Sequence, residues 1–500
     1  MDSLTAQFWL PGHSSDQLAG ELILNNDGAP KISVQGKADH LKAIQSALSV
    51  EGGLIHGRAD FPGREHQDLR FGNQLTVFGD LEYTYDLPRS DQHFGVEWEP
   101  KMVVRGPRLE EPPKSEKCTF SFNTMPVFLD RRLISSTSES LSAARETLWI
   151  ELDHLDLASR AGDIKVRLWG ATQQLKGQRS LHFDQMEEFV CEAPSQLSVD
   201  DWHSDVVEPI RYLLSLLFPA PTKCVFLSFG GLATDADTWR AWRVYQRGIA
   251  LVAEPMDEAA SIREHPILRL TDRGPIPFDS LIPKWFSLWS SQRDPIRLLL
   301  NDSIRQGDLS PELIFLTAVQ ALEGFHRGLT GMPQQARSED EHSALVSQIL
   351  NLDFSDGDRR WIEDRIKWNE PSLRKRLRDL STPIESVPLG LVLGGGRRTS
   401  HFIDIVTRTR NWLSHRTTVD SPQIWTEDEE LMVLGECIRT IVVIHILDEL
   451  GISFADQHEF TRQDRRFDVA NRWFQPLYRK RYAEDTPLAN RGPNDDALHK

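Results

Sequence analysis

Five hundred residues, 39% hydrophobic and 26% charged, make a globular chain too long for one ordinary core, because single cores stop growing near roughly 250–300 residues. A formal net charge of -17 excludes a protein that coats nucleic acid indiscriminately, since such binding rests on lysine and arginine displacing counterions, but it leaves room for one cationic pocket. Four cysteines at 118, 191, 224 and 437 without paired spacing argue against a zinc ribbon or a disulfide framework and fit a reducing cytoplasm.

From Phe8 to about Cys191, short apolar or alternating runs are broken by Gly, Pro, Asn and Asp. Glu21 to Leu24, Gln74 to Tyr85, Phe94 to Val104, Thr119 to Leu129, Thr147 to Leu155 and Ile164 to Trp169 have the alternation or the β-branched and aromatic content of half-buried strands. The stretch reads as a β-sandwich or open barrel whose loops are the natural place for a ligand, although no constellation in them names one. A looser, mixed region follows. Trp202 to Phe218 carries Val206, Ile210, Leu213 and Leu217 at helical spacing and stops at Pro219, and Lys223 to Phe229 reads as a buried strand. In Trp239 to Arg247 arginine alternates with aromatics, either as a stacking surface for single-stranded nucleic acid or, preferably, as a strand with core aromatics on one face.

Pro311 and Glu312 open a helix to about Arg327, with Leu313, Leu316, Val319, Leu322 and Phe325 on one face. Glu323 and His326 share one turn of it, as an acid–base pair or, preferably, as a helix-capping or inter-helix polar contact. Further helices are expected at Glu341 to Asn351, Gly357 to Leu380, Thr399 to Leu413 and Glu427 to Leu450, which together make an antiparallel bundle. The basic run Arg374 to Arg378 reads as a solvated helix face. Leu393-Gly394-Gly395-Gly396-Arg397-Arg398 lacks the Gly-Lys-Ser/Thr of a phosphate loop and reads as a flexible connection. Arg462 to Tyr482 is expected to dock on the bundle, and Ala483 to Lys500 to form a disordered tail. Met1 to Gln7 has no export signal, and the apolar run Leu431 to Leu447 is interrupted by Glu436 and Arg439, so no membrane role is indicated.

The most informative run is Arg408-Thr409-Arg410-Asn411-Trp412-Leu413-Ser414-His415-Arg416. A phosphodiester can be cleaved without metal by a fixed cation that holds the charged transition state and an imidazole that moves the proton. Spacing alone is weak evidence. Arg337 and His342 have the same separation but enclose the acidic Ser338-Glu339-Asp340-Glu341, and Arg439 and His445 bracket an apolar helical stripe. Between 397 and 416, in contrast, five arginines (397, 398, 408, 410 and 416) face one acid, Asp404. A purely structural reading, in which Arg410 serves a helix C-terminus, Asn411 ends it and His415 lies in a loop, accounts for the same residues. Positions five apart on a helix diverge by about 140°. Convergence therefore needs the helix to end near Leu413 to His415, or a second copy of the chain.

Arg410, Asn411 and His415 resemble the motif of the HEPN superfamily of α-helical bundles, whose nuclease members carry Arg, four to six residues, then His, often with a polar residue after the Arg. The likeness extends to the ApeA-like proteins of bacterial anti-phage defence. In that group an early bundle helix carries a Gln-Ala-Leu-Glu segment, here within Thr317 to Arg327, and the motif helix corresponds to Phe402 to Asn411. A Pro-Gly start and a strand-rich run resemble the ApeA-type N-terminal domain. The resemblance implies a metal-independent endoribonuclease in which the ribose 2'-hydroxyl attacks the adjacent phosphorus and leaves a 2',3'-cyclic phosphate. His415 would act as general base or acid, Arg410 would hold the non-bridging oxygens, and Asn411 would orient substrate or His415. It also implies a homodimer with two motifs at one cleft, and abortive infection in which the N-terminal domain senses a phage product. Arg408, Arg416, Arg397 and Arg398 are expected to bind substrate, with Glu323 and Asp404 in support. The alternative is a non-catalytic RNA- or protein-binding module.

The expected class is α+β multidomain: a β-rich, sandwich- or barrel-like N-terminal domain at 1–195, a mixed connecting region at 196–305, an all-α bundle at 306–453 and an extension at 454–500. No cofactor or metal is expected. Asp353, Asp356 and Asp358 come closest to a cation loop but lack its full series and fit capping of the next helix. Whether the apolar face of the last bundle helix, Ile438 to Leu447, buries in a dimer or inside the chain stays open.

Overall fold

The computed structural model describes residues 2–24, 29–49, 53–60, 73–79, 84–87, 94–125, 134–141, 145–152, 155–176, 181–217, 222–230, 242–246, 276–300, 309–384, 388–393, 397–415, 421–452, 457 and 465–482. It folds as two compact units, Met1–Phe286 and Ser287–Lys500.

In the first unit, fourteen strands form one sheet in the order Leu155–Ala161, Ile164–Lys176, Leu181–Ser198, Lys114–Phe122, Cys224–Phe229, Trp242–Tyr245, Met102–Arg105, Gln74–Phe78, Leu54–Ala59, Asp2–Trp9, Leu18–Leu24, Pro30–Gly36, Phe94–Trp98 and Thr84–Leu87. The pairings are antiparallel. The β-rich N-terminal half expected from alternation is therefore mainly one antiparallel ladder that reaches Tyr245, with Ile134–Leu141 and Arg145–Leu152 paired apart from it as a two-stranded sheet. Two expected runs divide: Gln74 to Tyr85 supplies two strands that are distant in the order, and Phe94 to Val104 supplies two more. Helix α1 (Ala38–Leu48), missed in the sequence, buries Leu41, Ile44 and Leu48 in the same core as Ile32, Val34, Ile55 and Trp98. That i, i+3, i+7 spacing is a helical signal. The expected helix after Val199 is α2 (Val199–Trp202), a π-helical turn His203–Val207 and α3 (Glu208–Leu217), started by a capping box between Ser198 and Asp201. Arg243 and Tyr245 are buried in a sheet-interior strand, so the described part of Trp239 to Arg247 is core and not a stacking surface.

The boundary between the units falls within helix α4 (Phe278–Leu299). The second unit contains α5 (Pro311–Gly328), α6 (Glu339–Leu350), α7 (Asp356–Ile366), α8 (Leu373–Ser381), α9 (Pro388–Leu393), α10 (Arg397–His415), α11 (Asp428–Glu449) and α12 (Arg465–Tyr482). Ser310, Ser338, Ser355 and Ser372 cap α5 to α8, each hydroxyl accepting the backbone N–H three residues on. The single helix expected from Gly357 to Leu380 is thus two. Pro371 cannot continue a helix that precedes it, and Ser372 starts a new one. At the start of α7 the cap is Ser355, with Asp356 and Asp358 in the first turn where they favour the helix dipole.

Helix α11 is the centre of this unit. Every residue from Cys437 to Leu447 is buried, so the face at Ile438 to Leu447 is internal core. Gly435 faces Ile314 and Phe315 of α5, where a Cβ would make only ordinary contacts of 3.4 Å and 3.5 Å. The expected docking of the C-terminal segment is carried by α12: Phe474 is buried against Phe402 and Trp425, and Arg481 pairs with Glu430 and donates to the carbonyls of Pro422 and Ile424. Among the described residues no helix is long and apolar enough to cross a membrane.

Candidate active site

Helix α10 holds the Arg–His run by burying one face and leaving the other free. Phe402, Ile405, Val406 and Thr409 are buried. The Thr409 hydroxyl accepts from the backbone N–H of Trp425 at 3.0 Å, and the Trp425 ring is itself buried against Phe474. This fixes the rotation of the helix about its axis. With Thr409 facing inward, the 100° advance per residue turns Arg408 and Arg410 to opposite flanks. Arg408 is exposed, Arg410 half-buried, Asn411 and His415 exposed.

The helix continues to His415, its last residue. Arg410 and His415 thus leave the axis about 140° apart and about 7.5 Å apart along it. Asn411 bridges part of that angle. It lies four residues before His415 and so shares its face, and Arg410 Nη1 donates to Asn411 Oδ1 at 3.4 Å. The guanidinium is drawn toward the imidazole side of the helix. Among the described residues, Arg410 pairs with no carboxylate and His415 has no hydrogen-bond or ionic partner, so both remain available to an anion.

The residues from 316 to 455, which include this run, match the family described as Apea-like HEPN. The C-terminal unit contains an Apea-like HEPN domain. No curated protein and no solved structure matches the chain.

Within the HEPN domain the other expected site residues disperse. Arg398 acts electrostatically on Tyr478, whose phenol is pushed up mainly by burial and partly drawn back by that cation. Asp404 is ion-paired with Arg374 of α8. Arg397 begins α10, while its side chain, and Arg416 together with the glycines 394–396, lie outside the described residues. Glu323 offers its carbonyl, not its carboxylate, to Arg376 at 3.4 Å.

Arg376 corrects the expectation for the basic run 374–378. It is 2% exposed and faces the core, with its guanidinium donating to the Pro371 carbonyl at 3.0 Å and to His326 Nδ1 at 3.4 Å. That contact leaves Nε2 as the protonated nitrogen of His326, which faces Asp379 Oδ2 at 3.2 Å. Burial holds the His326 imidazole below its ordinary pKa; Asp379 opposes the shift and Arg376 adds to it. The inter-helix contact anticipated for His326 is therefore a buried network. His445 of α11 is also buried, bonds the Leu380 carbonyl at 2.7 Å and is shifted down by burial. Neither histidine reaches solvent.

Among the described residues no group of three or more His, Cys, Asp or Glu is placed to hold a metal ion. Cys118, Cys191, Cys224 and Cys437 are buried and form no disulfide, and burial pushes the thiols of Cys118, Cys191 and Cys437 up, away from the reactive thiolate. In the N-terminal unit a groove of about 420 Å³ lies beside Arg160, Lys165 and Arg167. Two of those cations are already paired, Arg167 with Asp156 at 2.5 Å and Lys165 with Glu192 at 3.2 Å.

Proposed function

We propose that the chain is a metal-independent endoribonuclease acting in bacterial anti-phage defence, with its chemistry at Arg410, Asn411 and His415. The observation that carries this reading is that, among the described residues, Arg410 pairs with no carboxylate and His415 has no hydrogen-bond or ionic partner, while Asn411 leans the guanidinium toward the imidazole side. In the same domain Arg376 and His326, by contrast, are buried and bonded to each other. The Apea-like HEPN match supports the class of domain and the defence setting.

In the reaction, His415 takes the proton of the ribose 2'-hydroxyl as that oxygen attacks phosphorus. The bond from phosphorus to the 5'-oxygen breaks, and the leaving oxygen receives a proton from an imidazolium. Arg410 holds the non-bridging oxygens as charge builds on them. One imidazole cannot be both base and acid in a single concerted step, and the 140° divergence leaves Arg410 and His415 on different flanks. A homodimer with two motifs at one cleft answers both points. In this reading the N-terminal sheet unit senses a phage-derived trigger and the protein acts in the cytoplasm.

The test is incubation of the full-length protein with RNA and with DNA in excess EDTA, beside Arg410→Ala and His415→Ala, and a parallel phage challenge of cells carrying each form. Chelator-resistant RNA cleavage and infection-dependent growth arrest, both lost in the two variants, are expected. Cleavage retained by either variant moves the chemistry elsewhere. Tight RNA binding with no cleavage in infected-cell extract favours a binding module.

A further inference from the structure

A second polar hollow lies near the other end of the motif helix. A cavity of about 240 Å³ opens between α8 and the first two turns of α10, and Arg374, Arg378, Ser381, Thr399, Ser400 and Asp404 line it. Three independent features of this hollow favour a small oxyanion. Two guanidiniums reach it from one helix, spaced four residues apart so that they share a face. Asp404 neutralises one of them, which leaves Arg378, exposed and without an acidic partner among the described residues, as the uncompensated charge. The first turn of α10, where backbone N–H groups have no intrahelical acceptor, contributes Thr399 and Ser400 and contains no acidic residue.

The third feature is the state of two hydroxyls. Ser381 and Thr399 are 1% and 6% exposed, and the side-chain oxygen of each is buried without a hydrogen-bond partner. A buried hydroxyl that makes no bond costs free energy, and native interiors leave few such groups. Two of them converging on one cavity, from two helices and beside two arginines, define a place where a ligand with several acceptor oxygens would satisfy all of these donors together. The volume is below the roughly 300–1,000 Å³ of ordinary ligand pockets, which suits a phosphate group better than a large organic molecule.

We propose that this hollow is a phosphate-binding site, separate from Arg410 and His415 and about 15 Å from Arg410 along the helix axis. Arg374 and Arg378 supply charge, Ser381 and Thr399 donate hydrogen bonds, and the α10 N-terminus completes the cradle. The phosphate belongs to a free mononucleotide or to the backbone of an RNA strand. The site does not depend on cleavage by His415, because binding is read without turnover.

The experiment is calorimetric titration of the full-length protein in EDTA with inorganic phosphate, with adenosine monophosphate and with a fully 2'-O-methylated RNA oligomer, which lacks the attacking hydroxyl. Wild type is compared with Arg378→Ala, at an exposed position that leaves the core intact, and with Thr399→Val, which keeps the side-chain shape. The expected result is binding that weakens about tenfold or more in each variant, the worth of a charge-assisted bond, with an unchanged melting temperature. Mononucleotide binding that methylated RNA does not displace assigns a free nucleotide; RNA binding lost in Arg378→Ala without mononucleotide binding assigns the strand. No binding of any of the three probes by wild type, or equal affinities in wild type and both variants, overturns the site.

Discussion

Two sets of arginine and histidine in the helical unit are built from the same chemistry and put to opposite use. Arg376 and His326 are buried, bonded to each other and closed off by Asp379 and two main-chain carbonyls. Arg410 and His415 leave the outer side of their helix on different flanks, and among the described residues Asn411 is the one side chain that hydrogen-bonds the Arg410 guanidinium. A buried charge must be paired to be tolerated at all, so the first set is architecture; the second keeps its donors free, which is what binding and proton transfer require. The same pair of residue types is therefore diagnostic only together with its surroundings.

The contrast breaks most visibly if the two sets exchange roles under mutation. Arg410→Ala and His415→Ala are expected to lower RNA cleavage by about 10²–10⁴-fold, the range for losing one acid–base or charge-stabilising group. Their melting temperatures should stay within a degree or so of wild type, because neither side chain supports the core. Calorimetry beside a cleavage assay checks both halves; a large melting shift in either variant would make the run structural.

Arg376→Ala should do the reverse. Truncation leaves His326 Nδ1 and the carbonyls of Pro371 and Glu323 without their donor, at a cost of about 3 kcal/mol. For a unit of this size that is a melting shift of roughly 6–12 °C. Cleavage per folded molecule should hardly change. Asn411→Ala is smaller again: loss of the 3.4 Å contact frees the guanidinium to rotate away from the imidazole side, and a drop in kcat of about tenfold with KM little altered is expected. An equal loss in KM would instead place Asn411 in substrate contact.

Much of the bundle was legible because its cues are local. Ser310, Pro311 and Glu312 announce α5, and the apolar stripe of α11 needs no partner to be recognised. The N-terminal strands were visible as alternation, but their order was not, since pairing of Lys114–Phe122 with both Leu181–Ser198 and Cys224–Phe229 joins segments far apart in sequence. At the site, the spacing of Arg410, Asn411 and His415 could be read directly, whereas their availability could not, because it depends on Thr409 being the residue that turns inward. The hollow at Arg374, Arg378, Ser381 and Thr399 left only a weak trace, a basic run that also described a solvated face; Arg376 at its centre points into the core while its neighbours point out.

The smallest expected effect uses pH to separate the two sets without mutation. Burial holds His326 and His445 below the ordinary histidine range. His326 faces Asp379, Arg376 and Lys375, and His445 faces the Leu380 carbonyl, Asp448 and His326. Both are thus neutral in the folded state, while the unfolded chain takes up protons on them near pH 6.5. The unfolded state binds more protons as acid is added, so stability is full above about pH 6.5 and falls as the pH drops below it toward the depressed folded values. A melting temperature that declines by a few degrees between pH 7.5 and 5.5, with a shallower decline in His445→Gln, whose amide can still donate to Leu380, is the expected outcome. A slope equally steep in His445→Gln would mean that this buried imidazole does not set the acid limit of the fold and that the division between buried framework and free chemistry is drawn in the wrong place.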